Sequence, residues 1–113
     1  MYHVSFRPQS NRASWVYIGE LTDYDDVPVN LSGCEIVFQV NDKDDGARLT
    51  ASTANGKVTI IDVGKFRWFF TRDEMRGLEP GTYKTGMTVT NDDGTQTQQL
   101  SVGPLPIVDG VVP

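Results

Sequence analysis

Hydrophobic and polar positions alternate along most of this chain. Tyr2, Val4 and Phe6 are separated by His3 and Ser5. Trp15, Tyr17 and Leu21 fall on one face of the next run, with Val16 and Ile18 on the other. Ile36, Phe38 and Val40 alternate with Val37 and Gln39, and Phe66, Trp68 and Phe70 alternate with Arg67 and Phe69. Val58 and Ile60 lie in a short run. Tyr83, Met87 and Val89 oppose Lys84, Thr88 and Thr90, and Leu100 and Val102 end a further segment. A period of two sends successive side chains to opposite faces of a strand, so each run predicts a strand with one buried face. Short runs parted by turn residues predict an all-β fold, an antiparallel sandwich or barrel.

The turn residues agree with that pattern. Asp92-Asp93-Gly94 separates two alternating segments, and an Asp-Gly pair favours a hairpin because both positions tolerate positive φ. Asn55-Gly56 carries the same signal between residues 47–51 and 57–61, and Pro80-Gly81 suits the turn before the Tyr83 strand. One helical turn interrupts the strands. Thr71-Arg72-Asp73-Glu74 fits a capping box, Phe70 and Met75 occupy the flanking staple positions, and Gly77 follows where the helix should stop.

Two segments read as strand edges. Thr95-Gln96-Thr97-Gln98-Gln99 has no charge, glycine or proline, and such a strand at a sheet edge invites pairing with another chain, which makes Gln96 and Gln98 interaction candidates. The alternative is the wet outer face of a hairpin. Residues 103–113 carry Pro104, Pro106 and Pro113 with Leu105, Ile107, Val111 and Val112. That stretch predicts an edge strand, where proline is tolerated, or an apolar arm docking on a partner through Leu105, Ile107 and Val111. Phe69 faces away from the Phe66-Trp68-Phe70 stripe and is the candidate for an exposed anchor or subunit contact.

Length and charge narrow the classes. The 113 residues suffice for one domain, 1–113, with a real core and are too few for two ordinary ones. Ten Lys and Arg against 15 Asp and Glu leave a net charge of -5. The arginines are dispersed, so the counterion release that drives nucleic-acid binding has no basic cluster to work through. Cys34 is the only cysteine, which excludes an internal disulfide and reads as a half-buried free thiol. His3 is the only histidine and lies in a different strand, so a Cys-His nucleophile is not expected. No run reaches the 18 to 20 apolar residues of a membrane helix, and MYHVSFRPQ lacks the layout of a signal peptide. Synthesis and retention in the cytoplasm are expected unless an assembly carries the protein elsewhere.

Candidate chemistry is sparse. Asp42, Asp44 and Asp45 crowd into VNDKDDGARL, where a calcium loop would want oxygen ligands at positions 1, 3 and 5, glycine at 6 and a closing Glu at 12. With Gly46 at position 6, Lys43 falls at position 3 and Ser52 at position 12, which defeats that match. A different calcium geometry could join Asp42, Asp44 and Asp45 to Asp23, Asp25 and Asp26; the other reading is a solvated turn. Trp15, Tyr17, Tyr24, Phe66, Trp68 and Tyr83 could form a sugar-stacking platform, although alternate strand positions favour the core, Trp68 above all. Phosphate loops, Cys/His metal spacings and a serine elbow are absent from the sequence, so neither an enzymatic activity nor a cofactor is expected.

Trp15 in an early strand, VPVNLSG (27–33) before EIVFQV, GKFRWFFTRDEMRGLEPGTY (64–83) and VTNDDGTQTQQLSVGPLPIVDGVV (89–112) together resemble small immunoglobulin-like proteins of tailed phages and prophages. The pattern is most similar to the N-terminal domain of phage baseplate upper proteins. Leu31 and Gly33 lead into a strand, Gly81 and Tyr83 open the long hairpin, and Gly94 sits in its turn; all five are scaffold positions. The resemblance implies an immunoglobulin-like antiparallel sandwich and a non-enzymatic, virion-associated role in a tail or baseplate. Its partners would be other tail or baseplate subunits or further copies of itself, and it offers no catalytic residue to transfer. Baseplate upper proteins continue into a long C-terminal region, whereas this sequence stops at Pro113, so a stand-alone tail component and a prophage protein of altered role are both implied. The aromatics and acidic loops keep a second expectation open, a carbohydrate-binding or adhesion module for cell-surface glycans.

Overall fold

The computed structural model describes residues 2–22 and 25–112; Met1, Asp23, Tyr24 and Pro113 lie outside the described residues. In chain order the elements are β1 (Tyr2–His3), β2 (Gln9–Ser10), β3 (Trp15–Glu20), β4 (Glu35–Asn41), β5 (Ala47–Ser52), β6 (Val58–Asp62), β7 (Lys65–Phe70), α1 (Arg72–Arg76), β8 (Gly81–Thr90) and β9 (Thr97–Val108). One sheet runs β1-β9-β8-β4-β5, with β2 also on β9, and the other runs β3-β7-β6. The two face each other as an all-β sandwich. Among the described residues no helix is long and apolar enough to cross a membrane.

The period-two pattern sorts residues as expected. Ile36, Phe38 and Val40 of β4 and Phe66, Trp68 and Phe70 of β7 are buried, and Phe38 stacks on Trp68 with ring centroids 3.9 Å apart and planes 9° from parallel. Tyr17 stacks on the Trp68 ring at 4.4 Å. Phe6 meets Trp15, Tyr17, Phe38 and Trp68 edge-on. Such pairs each add about 0.5–1.5 kcal/mol beyond the area they bury, so this cluster is the centre of the core. The Trp68 indole N–H is buried with no acceptor among the described residues, a cost of about 1–3 kcal/mol set against those ring contacts.

α1 turns the chain from one sheet to the other. The Thr71 hydroxyl accepts the Glu74 N–H, and the Glu74 carboxylate accepts the Thr71 N–H, so the capping box is formed. Phe70 and Met75 are both fully buried beside it. Gly77 closes the helix with φ -72 rather than a left-handed value. Its role there is a stop, and no backbone freedom particular to glycine is used. Asn55-Gly56 departs from its reading as a hairpin turn. β5 and β6 belong to different sheets, so the link carries the chain across the sandwich, held by Asn55, whose side-chain oxygen accepts the N–H groups of Ser52 and Lys57.

The antiparallel expectation also needs correction at one edge. β1 and β2 lie parallel to β9, pairing Tyr2 with Ser101 and Gln9 with Ile107. Between them Val4 N–H donates to Val102 O and Phe6 N–H to Pro104 O, so the N-terminal segment is laced along β9. Pro104 turns its carbonyl to this segment, and its missing N–H lies on the same side, away from β8. Pro106, two residues on, does likewise, so the β8–β9 ladder keeps its donors while the parallel pairing breaks into two short strands.

Candidate functional site

The lacing decides which edge of β9 stays open. It covers residues 101–108 and stops there, leaving the Thr97–Leu100 edge without a partner strand among the described residues. Beside that bare edge the sandwich is also open. The tip of the β8–β9 hairpin faces Leu21, Thr22 and residues 29–34 across a cavity of about 640 Å³. Leu21, Val29, Leu31, Val89 and Leu100 supply apolar walls, and Asn30, Asn91, Gln96 and Gln98 line it with amides.

Local hydrogen bonds hold both walls. Leu21 N–H donates to Gly64 O, Val29 N–H to Leu21 O and Cys34 N–H to Leu31 O, so Leu21 and residues 29–34 are held in place before β4 begins. Gly33 has φ 77 and an added Cβ would stand 3.0 Å from Asp92 Cβ, so glycine lets this loop pass the hairpin turn. On the other wall, Asn91 Oδ1 accepts the Gln96 N–H, and Asp93 accepts both the N–H and the hydroxyl of Thr95. The Thr95 hydroxyl and N–H together hold the Asp93 carboxyl below its usual range. A stiff hairpin tip therefore presents Gln96 and Gln98, both exposed, at the mouth of the cavity. Sequence reasoning found these two residues and missed the walls behind them. Leu21, Val29 and Leu100 are scattered in the chain, and only the fold brings them together.

Cys34 is half-buried, as read from the sequence, and lines this cavity. His3 is on β1 and lines other hollows than the one Cys34 lines.

A second surface lies on the outer face of the three-stranded sheet. Phe69 stands directly opposite Val16, with Ile18 the next outward residue along β3. They are exposed by 40%, 49% and 58%, so Phe69 occupies the outward position predicted for it. Beside them Lys65 pairs with Glu20 at 3.4 Å. Each edge of this sheet, β3 and β6, has a single partner strand among the described residues.

The tail reading is corrected in part. Residues 103–108 are the second half of β9, flanked by β8 and the N-terminal segment, and Leu105 and Ile107 are buried in the core. The prolines had suggested an outer edge, but the lacing that accommodates them also covers it. Neither Leu105 nor Ile107 is available to a partner. Val111 is, at 85% exposed, and Val112 follows at 57%.

The acidic loop is a turn built on one carboxylate. Asp42 Oδ1 accepts the N–H groups of Asp44 and Gly46, and Oδ2 accepts Arg48 Nε at 3.1 Å. The Gly46 N–H, then the Asp44 N–H and Arg48, hold the Asp42 carboxyl below its ordinary range, against opposing desolvation. Asp45 turns to Lys84 Nζ at 3.0 Å and takes φ 63. Among the described residues no three His, Cys, Asp or Glu side chains converge as a metal site would need. Asp23 of the suggested neighbouring loop lies outside the described residues. The proposed sugar platform is also taken apart. Trp15, Phe66, Trp68 and Tyr83 are buried, Tyr17 is half-buried against Trp68, and Tyr24 lies outside the described residues.

No protein-family model matches the chain, and no curated protein matches its sequence.

Proposed function

We propose that the chain is a non-enzymatic structural protein of a phage or prophage tail or baseplate, an immunoglobulin-like sandwich that works by holding other proteins. The observation that carries the protein-contact part is the apolar outer face of the three-stranded sheet. Val16 and Phe69 form an exposed cross-strand pair flanked by Ile18, on a sheet whose two edge strands each have a single partner strand among the described residues. An apolar face beside unpaired strand edges is what strand addition and face-to-face docking use. The phage assignment comes from the resemblance carried by residues 27–33, 64–83 and 89–112.

The test is recovery of the protein from particles. Mass spectrometry of tail particles purified from cells carrying the gene should find the chain at a fixed ratio to other tail proteins. A Phe69→Ser, Ile18→Ser double variant should fold and be depleted from the particles. Absence of the wild-type chain from every purified particle would overturn the assignment.

A further inference from the structure

Beneath the N-terminal segment lies another cavity, of about 340 Å³, set between the two sheets. Tyr17, Phe66 and Trp68 line it from the three-stranded sheet, and Met87 and Leu100 from the side of the other. Phe6 lines it as well, so the segment laced along β9 forms one of its walls. The exposed His3 and Glu20 bring it to the surface. The tip of the Phe66 ring rests on Gly19, where an added Cβ would collide with it, so that wall is fixed. One buried donor belongs to these walls. Trp68 is 2% exposed, and its indole N–H has no acceptor among the described residues. Phe38 and Tyr17 stack on the ring at 3.9 and 4.4 Å, so the indole meets the cavity with its edge, and the edge carries the N–H.

Size, lining and charge together select the ligand. An apolar cavity of about 150 Å³ already takes a benzene-sized ring, so this one has room for a ring with a substituent. Water is a poor filling. The volume would take about ten waters at roughly 30 Å³ each, and each wants about two to four polar partners. The buried polar side chains in the walls are Trp68 and Ser101 alone. Glu20 is the one carboxylate among the lining residues and neither lysine nor arginine joins it, which disfavours an anion. We propose that this cavity binds a small neutral aromatic molecule carrying a carbonyl oxygen, its ring among Phe6, Tyr17 and Phe66 and its oxygen accepting the Trp68 indole N–H. Aromatic walls attract a flat ring stacked or edge-on, and an acceptor for the buried N–H relieves the desolvation that it otherwise carries. The N-terminal segment is the way in. Over this stretch the two residues of β1 and the Val4 and Phe6 amides tie it to β9, and a chain end so lightly held opens at low cost. The site is separate from the outer sheet face and stands whether or not the chain enters tail particles.

Heteronuclear NMR titration of the full chain tests it, with acetophenone as the probe and ethylbenzene as a control of similar size that has no acceptor. The Trp68 indole signal is identified as the one lost in Trp68→Phe. In the wild-type chain acetophenone should move that signal downfield to saturation. It should bind about tenfold more tightly than ethylbenzene, the difference being one hydrogen bond to a buried donor. Bound acetophenone should also slow exchange of the Val4 and Phe6 amides, because it packs against the wall they hold. Trp68→Phe keeps a ring and loses the donor, so it should bind the two probes equally. Ser101→Leu, which fills the cavity, should bind neither, with circular dichroism checking that each variant folds. The wild-type comparison decides by itself if a variant does not fold. Absence of saturable acetophenone binding overturns the proposal. So does equal binding of the two probes by the wild-type chain, or binding that leaves the Trp68 indole signal unmoved.

Discussion

Gly103→Ala should detach the N-terminal segment from the sandwich while leaving the β8–β9 ladder in place. An added Cβ at Gly103 would stand 1.6 Å from Val4 O and 2.6 Å from Val4 C. Both are backbone atoms, so no side chain can swing aside, and the segment must retreat by roughly 2 Å to restore van der Waals contact. That retreat breaks Val4 N–H to Val102 O at 2.8 Å and Phe6 N–H to Pro104 O at 3.2 Å. At about 0.5–1.5 kcal/mol each, the two bonds account for roughly 1–3 kcal/mol. Drawing Phe6 out of its ring contacts adds about 1.5–3 kcal/mol. Loss of glycine freedom in the unfolded chain offsets about 0.4–1 kcal/mol. The net destabilisation is therefore about 2–5 kcal/mol. Urea denaturation measures it, and amide exchange localises it: the Val4 and Phe6 amides should lose protection while those of β4 and β8 keep theirs. A variant with the wild-type midpoint and protected Val4 and Phe6 amides would refute the lacing.

Three further outcomes follow from the core and the turns. Trp68→Ala should cost about 3–5 kcal/mol in urea, whereas Trp68→Phe should cost distinctly less because it also removes the unpaired N–H; equal losses would contradict the ring-stack account. Glu74 is partly desolvated, which raises its pKa, but the Lys57 ammonium and the Thr71 N–H and hydroxyl outweigh that and hold it below its ordinary 4.5. Because the folded pKa is the lower one, its contribution is present above about 4.5 and is lost as pH falls below it, so Glu74→Gln should flatten the acid limb of a stability-against-pH curve. Calcium addition after chelation should leave the thermal midpoint unmoved, since Asp42 already serves its own turn and Arg48; a rise of several degrees would overturn that reading of the acidic loop.

Much of the fold was legible because burial follows period two wherever a strand has one wet face. Ile36, Phe38 and Val40 are fully buried, Phe66, Trp68 and Phe70 nearly so, and Phe69 faces out. The capping box was legible because all its chemistry lies within four residues. What stayed hidden depends on pairings between distant parts of the chain. The N-terminal segment joins β9 about a hundred residues on, and its parallel course leaves no local turn signal. Prolines 104 and 106 marked an edge correctly in kind, but a second segment covers that edge, which buries Leu105 and Ile107. The same distance effect hid the corner cavity. Gln96 and Gln98 on its rim could be read from a single polar run, while Asn30, Asn91 and the apolar walls come from separate stretches.

The central claim is that the protein holds other proteins through the apolar outer face of its three-stranded sheet. Photo-crosslinking from position 18 tests it most directly: a benzoylphenylalanine in place of exposed Ile18, irradiated in particle-forming cells, with products identified by mass spectrometry. The account predicts discrete crosslinks to a tail protein, absent when the same group replaces exposed Lys43. No protein crosslink from position 18, or a pattern shared with position 43, would contradict it.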